Sequence, residues 1–250
     1  HEASGFVVAF GKEVRNFEPG GRVTFDSTIY CGECYFCRQG QPNLCDNRRV
    51  LGVSCAEYRQ NGTFAELVCV PEHIVYKLPD GLDFVSASLT EPLSVAAHAV
   101  RTGMPGAGDS ILVVGAGLIG LLLIQVLRAN CSGTIIAVDL DKDRLETAIS
   151  LGADHAVQAD QDAVARIRAL TSGRGADHAF EAVGATAPIS LAIRGLRKGG
   201  TLTLIGNASP SVEIPLQEVV TRQLTLKGSC AISGEYPFAL DLMEIGRAHV

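Results

Sequence analysis

The sequence predicts an α/β protein in which an irregular β domain precedes a doubly wound, six-stranded parallel sheet. Three observations predict it. From Ser110 onward, short apolar runs at residues 111–114, 134–138, 155–157, 177–183, 201–205 and 224–227 alternate with segments long enough to be helices. Parallel neighbours need crossovers of about a dozen residues or more, so this alternation predicts a parallel sheet covered by helices. Residues 1 to about 90 carry shorter β-type runs instead, at 5–9, 22–25, 64–70 and 73–77, divided by turn chemistry at Pro19-Gly20-Gly21 and Asn61-Gly62. Finally, four of the eight cysteines crowd into residues 31–45, which predicts a Cys-rich loop inserted in the first half.

The bulk composition excludes several function classes. Of 250 residues, 47% are hydrophobic and 19% charged, which describes a packed globular chain, since disorder needs low hydrophobicity and high net charge. The net charge of −6 repels a phosphate backbone, so nucleic acid is not an expected partner. The longest apolar stretch, residues 118–127, is interrupted by Gly120 and Gln125 and is too short to cross a bilayer. Residues 1–10 contain Glu2 and no basic segment ahead of an apolar one, so they do not read as a secretory signal, and a cytoplasmic protein is expected.

Cys31, Cys34, Cys37 and Cys45 follow the spacing C-x2-C-x2-C-x7-C, which brings four thiolates within reach of one tetrahedral ion. Gly32 and Gly40 let the backbone turn tightly enough for the sulfurs to converge. Structural zinc is the expected occupant. An iron–sulfur cluster uses related spacings, but here no Pro follows the last Cys and that Cys comes late. A closed four-thiolate site has no open coordination position, so it holds a loop and the catalyst must lie elsewhere. Cys55, Cys69 and Cys131 have apolar neighbours and read as small core residues. His98 and His178, also among apolar neighbours, read as packed.

The run 111–114 leads directly into Gly115-Ala116-Gly117-Leu118-Ile119-Gly120 and then into a helical pattern. Glycines at 115 and 117 permit a tight turn and close approach to a pyrophosphate, Gly120 permits helix-on-strand packing, and the helix start favours an anion. G-x-G-x-x-G alone is a weak signal. Here it lies between strand and helix, and Asp139 closes the next strand 19 residues after Gly120, as a ribose-binding acid should. The second half therefore reads as a Rossmann domain. A carboxylate at Asp139 accepts both hydroxyls of an adenosine ribose and repels a 2′-phosphate, which favours NAD over NADP, although Lys142 and Arg144 follow within one turn.

The Cys lobe, Gly115-Ala116-Gly117-Leu118-Ile119-Gly120 and the opening His1-Glu2-Ala3-Ser4-Gly5 together resemble the zinc-dependent medium-chain dehydrogenase/reductase superfamily, with a GroES-like catalytic domain ahead of the Rossmann domain. The resemblance covers the chain to about Glu244. It implies His1 as a ligand of a catalytic zinc, from a Gly-His-Glu-x-x-Gly motif whose leading Gly is absent. Glu91-Pro92-Leu93-Ser94-Val95 is similar to the sorbitol and threonine dehydrogenase branch, where an acid stands at the position of a zinc-ligating Cys. Glu91 is thereby implied beside the metal, and whether Glu2 or Glu91 ligates directly stays open. A further Cys ligand is implied upstream of His1. Similarity over residues 139–144 implies that Asp139 and Arg144 bind the ribose. Ile205-Gly206-Asn207 and Ser229-Cys230-Ala231 match loops approaching the nicotinamide. One departure is Gly21, where relatives show Asp in a Gly-Asp-Arg-Val turn.

What the resemblance implies is an enzyme, a zinc-containing dehydrogenase that passes hydride from a secondary alcohol or polyol to NAD, working as a homodimer or homotetramer on a small molecule. Hydride transfer then requires His1, Glu2 and Glu91 to meet at the mouth of a cleft between the two domains. A threonine or sugar-alcohol-phosphate dehydrogenase is the rival within the superfamily. A zinc-ribbon binding module is the rival from another class, and it would want a basic, aromatic surface. A cofactor-binding remnant without catalysis is the third.

The expected domains are a partial GroES-like domain at 1–92, the Rossmann domain at 93–229 and the start of a return to the catalytic domain at 230–244. Both ends read as cut. Residues 245–250 match what one reading frame of a sequencing-library adapter encodes and are expected to be non-native, so His249 is given no role.

Overall fold

The computed structural model describes residues 1–53 and 55–248, which leaves His249 outside the described residues. Two compact units make up the chain, residues 1–95 with the segment from Cys230 onward, and residues 96–229.

The first unit begins with β1 (Ser4–Phe6), β2 (Arg22–Phe25), β3 (Thr28–Ile29), the single-turn helix α1 (Tyr35–Arg38), β4 (Arg49–Leu51), β5 (Arg59–Gln60) and β6 (Val75–Lys77). These strands form two small sheets, in the orders β1-β2-β6 and β3-β4-β5. Phe25, Ile29, Leu51 and Ile74 form the core beneath them. The run at 64–70 does not become a strand: Phe64, Leu67 and Val68 are exposed, and no ladder among the described residues satisfies its backbone. A short apolar, β-branched run specifies a strand only where an edge is available to pair with. The run at 73–77 also enters its sheet later than expected, because Glu72–Ile74 forms a 3-10 turn first.

Two helices follow, α2 (Phe84–Ser88) and α3 (Thr90–Gly103). Asp83 caps α2 by accepting from the Ser86 amide at 2.9 Å, satisfying one of the donors a helix start leaves unpaired.

The second unit runs β7 (Ile111–Val114), α4 (Leu118–Asn130), β8 (Ile135–Asp139), α5 (Lys142–Ser150), β9 (His155–Gln158), α6 (Ala163–Leu170), β10 (Ala176–Glu181), α7 (Thr186–Gly195), β11 (Leu196–Leu204), α8 (Leu216–Thr221) and β12 (Thr225–Gly228). Its six strands form one sheet in the order β12-β11-β10-β7-β8-β9, and every neighbouring pair is parallel. The expected doubly wound sheet is the one observed. All four residues of β7, and Ile135 to Val138 of β8, are buried, as strands covered on both faces must be. The chain winds outward from β7 through β8 and β9, then returns to lay β10, β11 and β12 on the other side. The switch point is therefore between β7 and β10, and a ligand is expected outside the carboxyl ends of those two strands.

At the opposite edge of the sheet, Asp177 accepts from the Ser110 amide at 2.8 Å and the Ser110 hydroxyl at 2.6 Å, and pairs with Arg197. Burial alone would raise its carboxyl, but these donors outweigh it and pull the pKa down to about 2. A depressed carboxylate contributes stability above its unfolded pKa, and that contribution is lost as pH falls from about 4 to about 2. Asp177→Asn should therefore destabilise the chain by about 1–2 kcal/mol at pH 7, allowing for the solvent that reaches Arg197. Thermal melts should converge with those of the unmutated chain near pH 2, and an equal gap at both pH values would contradict the assignment. Next to Asp177, the half-buried His178 pairs with Asp109 at 3.2 Å, which accounts for it as a packed residue.

A helix from the later segment, α9 (Tyr236–Glu244), belongs to the first unit. The Tyr236 ring stacks on Tyr76 at 4.8 Å, its hydroxyl donates to the Phe25 carbonyl at 2.6 Å, and Leu240 joins Leu78 and Ala87 in a small core.

Candidate functional site

The cysteine lobe converges as its spacing predicts. The sulfurs of Cys31, Cys34, Cys37 and Cys45 all lie within 4.8 Å of one another, and those of Cys31 and Cys45 are 3.6 Å apart. A tetrahedral ion at about 2.3 Å from each sulfur requires separations of about 3.8 Å, so the donor set fits zinc. Backbone amides reinforce it: Cys34 N–H points at the Cys31 sulfur at 3.4 Å, while Cys31 N–H and Asn47 N–H point at the Cys45 sulfur at 3.3 Å. Amide donors hold the Cys31 and Cys34 thiols below the ordinary thiol range, whereas burial pushes Cys37 and Cys45 above it. All eight cysteines are free thiols. Of the three expected in the core, Cys131 is buried, but Cys55 and Cys69 are exposed, because the segments that carry them lie on the surface instead of in a sheet.

A second constellation gathers at the chain start. Ser27, between β2 and β3, sits within hydrogen-bonding distance of His1 Nδ1 at 3.2 Å and donates to Glu91 Oε1 at 3.1 Å. His1 Nδ1 and Glu91 Oε1 are themselves 3.9 Å apart. His1 and Glu91, separated by most of the first unit's chain, are thus brought together, and Ser27 is the bridge that sequence reasoning missed. No motif marked it, since a serine between two short strands has no signature of its own. The Glu2 carboxylate lies 3.3 Å from the His1 backbone nitrogen. Its charge still reaches Glu91, whose carboxyl is pushed up to about 7 mainly by burial and secondarily by Glu2. Behind this group, burial lifts Asp26 to about 7 against the Thr28 amide that favours its ionised form. Among the described residues, the four thiols are the one set of three or more potential ligands that closes on a single point.

The third constellation lies in the second unit, at the switch point. Asp139, at the end of β8, accepts from the Ala116 amide at 2.7 Å with one oxygen and from the Asp141 amide at 2.9 Å with the other. The glycine loop and the acid are therefore tied together, and capping of α5 falls to Asp141, which accepts from the amides of Asp143 and Arg144. Gly117 is the N-cap of α4 and no side chain caps that helix, leaving its first amides open to an anion. Gly120 is required by contact: a Cβ there would overlap the Gly115 carbonyl. Ile205, Gly206 and Asn207 follow β11 directly, while Ser229 follows β12 with its amide on the Leu204 carbonyl at 2.9 Å. The Cys230 carbonyl accepts from Asn43 at 2.9 Å and its thiol from Arg48 at 3.2 Å, and Cys230 and Ala231 are grouped with the first unit.

With this geometry in place, comparison with known proteins is decisive. A model of the alcohol dehydrogenase GroES-like domain matches residues 1–80, and one of the zinc-binding dehydrogenases matches residues 119–244, half of the chain. The chain belongs to the zinc-binding dehydrogenase family. It is an oxidoreductase of the zinc-dependent alcohol dehydrogenase type. Over 249 residues it is 32% identical to a sorbitol dehydrogenase of Bacillus subtilis (strain 168), covering 98% of the chain and 69% of that protein. It is 36% identical to a probable D-xylulose reductase A of Aspergillus terreus, covering 100% of the chain and 71% of that protein.

Among solved structures, an Escherichia coli CFT073 alcohol dehydrogenase complexed with NADH superposes on this dehydrogenase with a TM-score of 0.89 at 30% identity, covering 100% of the chain and 72% of the other. A putative zinc-binding dehydrogenase from Sinorhizobium meliloti 1021 bound to NADP gives 0.88 at 30% identity, covering 100% and 73%. The fold and family thus assign zinc and a nicotinamide dinucleotide to this dehydrogenase. No helix among the described residues is long and apolar enough to cross a membrane.

Proposed function

We propose that this dehydrogenase oxidises a secondary alcohol of the polyol class with NAD as hydride acceptor, using one catalytic zinc at His1 and one structural zinc at the four cysteines. The observation that carries the reading is the Glu91 carboxylate 3.9 Å from the His1 imidazole, an acid where a thiolate ligand would mark a different branch. The sorbitol and xylulose names of the two relatives support the same substrate class. Bound zinc would supply a Lewis acid for the alcohol oxygen, and bound NAD the hydride acceptor.

The residues of the chain do the rest. Ser27 has one hydroxyl proton and donates it to Glu91, so the His1 ring is the donor at Nδ1 and keeps its Nε2 lone pair for the metal. Glu91 engages Ser27 with one oxygen, and its second oxygen is able to hold a water or the substrate proton. Glu2 is the alternative ligand beside His1.

Asp139 uses one acceptor site of each oxygen on the amides of Ala116 and Asp141, and a carboxylate has about four such sites. The remainder would accept the two ribose hydroxyls, and a 2′-phosphate would meet like charge. The exposed Arg144 flanks that ribose position, Gly115 to Gly120 receive the pyrophosphate, and Ile205, Gly206, Asn207 and Ser229 border the nicotinamide. Cys230 and Ala231 are assigned to the same end through the resemblance.

Initial rates on a panel of polyols, amino alcohols and sugar-alcohol phosphates, each with NAD and NADP, test the reading. Polyols with NAD should give the highest kcat/KM, and Asp139→Ser should narrow the preference for NAD about tenfold or more by removing a charge repulsion of the order of 1–2 kcal/mol. A lower KM for NADP than for NAD in the unmutated enzyme would refute the cofactor assignment, and turnover confined to threonine or to phosphorylated substrates would refute the substrate class.

A further inference from the structure

Glu181 is the last residue of β10 and is fully buried, an expensive place for a carboxylate. Among the described residues, no hydrogen bond or ion pair joins it to a lysine or an arginine. One oxygen accepts from the Val183 amide at 2.9 Å and the Gly184 amide at 3.0 Å, and the other accepts from the Gly184 amide at 3.0 Å. Amide donors on this scale offset the loss of water around an anion, and burial still leaves the carboxyl above its ordinary range.

The side chain closes the β10–α7 loop on itself, while the backbone of the same residue clasps the neighbouring loop: its carbonyl accepts from Ile205 N–H at 2.9 Å and Gly206 N–H at 3.0 Å. Two further bonds complete the seam, from Ala208 N–H to the Val183 carbonyl at 3.3 Å and from Ser209 N–H to the Gly184 carbonyl at 3.0 Å. The loops touch backbone to backbone, and a Cβ on either Gly184 or Gly206 would overlap the other loop's main chain.

This seam adjoins the nucleotide fingerprint. Glu181 is paired in register with Val114, the residue before Gly115, and a Cβ on Gly115 would come within 2.6 Å of the Val183 side chain. One buried carboxylate therefore sets the height of Val183 against Gly115 and the spacing of Gly184 against Gly206. Both borders lie outside the carboxyl ends of β7, β10 and β11, where the nicotinamide half of a dinucleotide must run.

We propose that Glu181 is a positioning residue for the nicotinamide half of the cofactor, holding the loops after β10 and β11 in the one arrangement that leaves the groove beside Gly115 open. It acts through the amides of Val183 and Gly184 and does not touch the cofactor itself. The proposal rests on the nicotinamide-dinucleotide reading of this groove and deepens it.

A purely structural acid would lower affinity for all ligands of the domain alike, whereas a positioning acid at this end discriminates between ligand halves. Glu181→Gln keeps shape and volume but turns an amide donor toward Gly184 N–H. Titration of the full chain with NADH and with ADP-ribose, which lacks the nicotinamide, should show NADH weakened about tenfold and ADP-ribose unchanged within about twofold. Equal weakening of both, or of neither, would overturn the proposal. Amide hydrogen exchange in the unmutated chain gives a second reading that needs no variant: Val183 and Gly184 should be protected without any ligand, and rapid exchange at both would overturn it. If the unmutated chain bound neither NADH nor ADP-ribose, the cofactor reading itself would fail, while protection of the two amides would still report on the seam.

Discussion

His1→Ala should abolish polyol oxidation, with kcat/KM falling at least about a hundredfold, while the dissociation constant for NADH stays within about twofold of the unmutated value. The split follows from where the residues sit. His1 belongs to the first compact unit, whereas Gly115 to Gly120 and Asp139 belong to the second, where Asp139 is held by the amides of Ala116 and Asp141. Without the imidazole, Ser27, Glu91 and the alternative ligand Glu2 leave only oxygen donors from this part of the chain, and the nitrogen ligand that the resemblance gives the catalytic zinc is lost. Metal analysis should accordingly show one zinc fewer per chain. Turnover of polyols at the normal rate by the His1→Ala enzyme would end the zinc mechanism at this site, and loss of NADH binding would show that the two constellations are not separable.

Stripping metal from the cysteine lobe should have the largest effect on stability. Structural zinc contributes on the order of 10 kcal/mol of apparent binding free energy in small peptides, and here it would hold a loop with little core of its own. Residues 31–45 contain one four-residue helix, and only Asn43 and Cys45 among them are buried. Cys45→Ala, or a strong chelator, should make this segment the first site of proteolysis and lower the thermal midpoint, with the six-stranded sheet and NADH binding preserved. Zinc content should fall by one per chain. An unmutated protein with visible charge-transfer absorption and bound iron would make the site an iron–sulfur centre, and unchanged stability after Cys45→Ala would remove the structural role altogether.

The parallel sheet was legible because its strands are short apolar runs at crossover spacing, a pattern that few other folds reproduce. Its nucleotide loop was legible for the same kind of reason, since G-x-G-x-x-G and the acid closing the next strand are local features read in chain order. The four cysteines also lie within fifteen residues, so convergence is largely a matter of loop length. The first unit was harder. Residues 64–70 form a short apolar run of strand length and have no partner among the described residues, and Cys55 and Cys69 have apolar neighbours in sequence yet lie on the surface. In an irregular β domain the pairing edge, not the residue pattern, decides which runs become strands.

The sequence by itself determined the fold class, the family resemblance and the identities of the thiols, the glycines and the acid that go with a dinucleotide and zinc, because each is written in contiguous residues at fixed spacing. The tertiary structure alone decided that Ser27 joins His1 to Glu91 and that Glu181 ties two loops together through amides of Val183 and Gly184. These are relations between polar groups distant in the chain or hidden at a strand end. A hydrogen bond depends on distances of a few tenths of an ångström and on which donors are already engaged, and no spacing rule along a sequence carries that information.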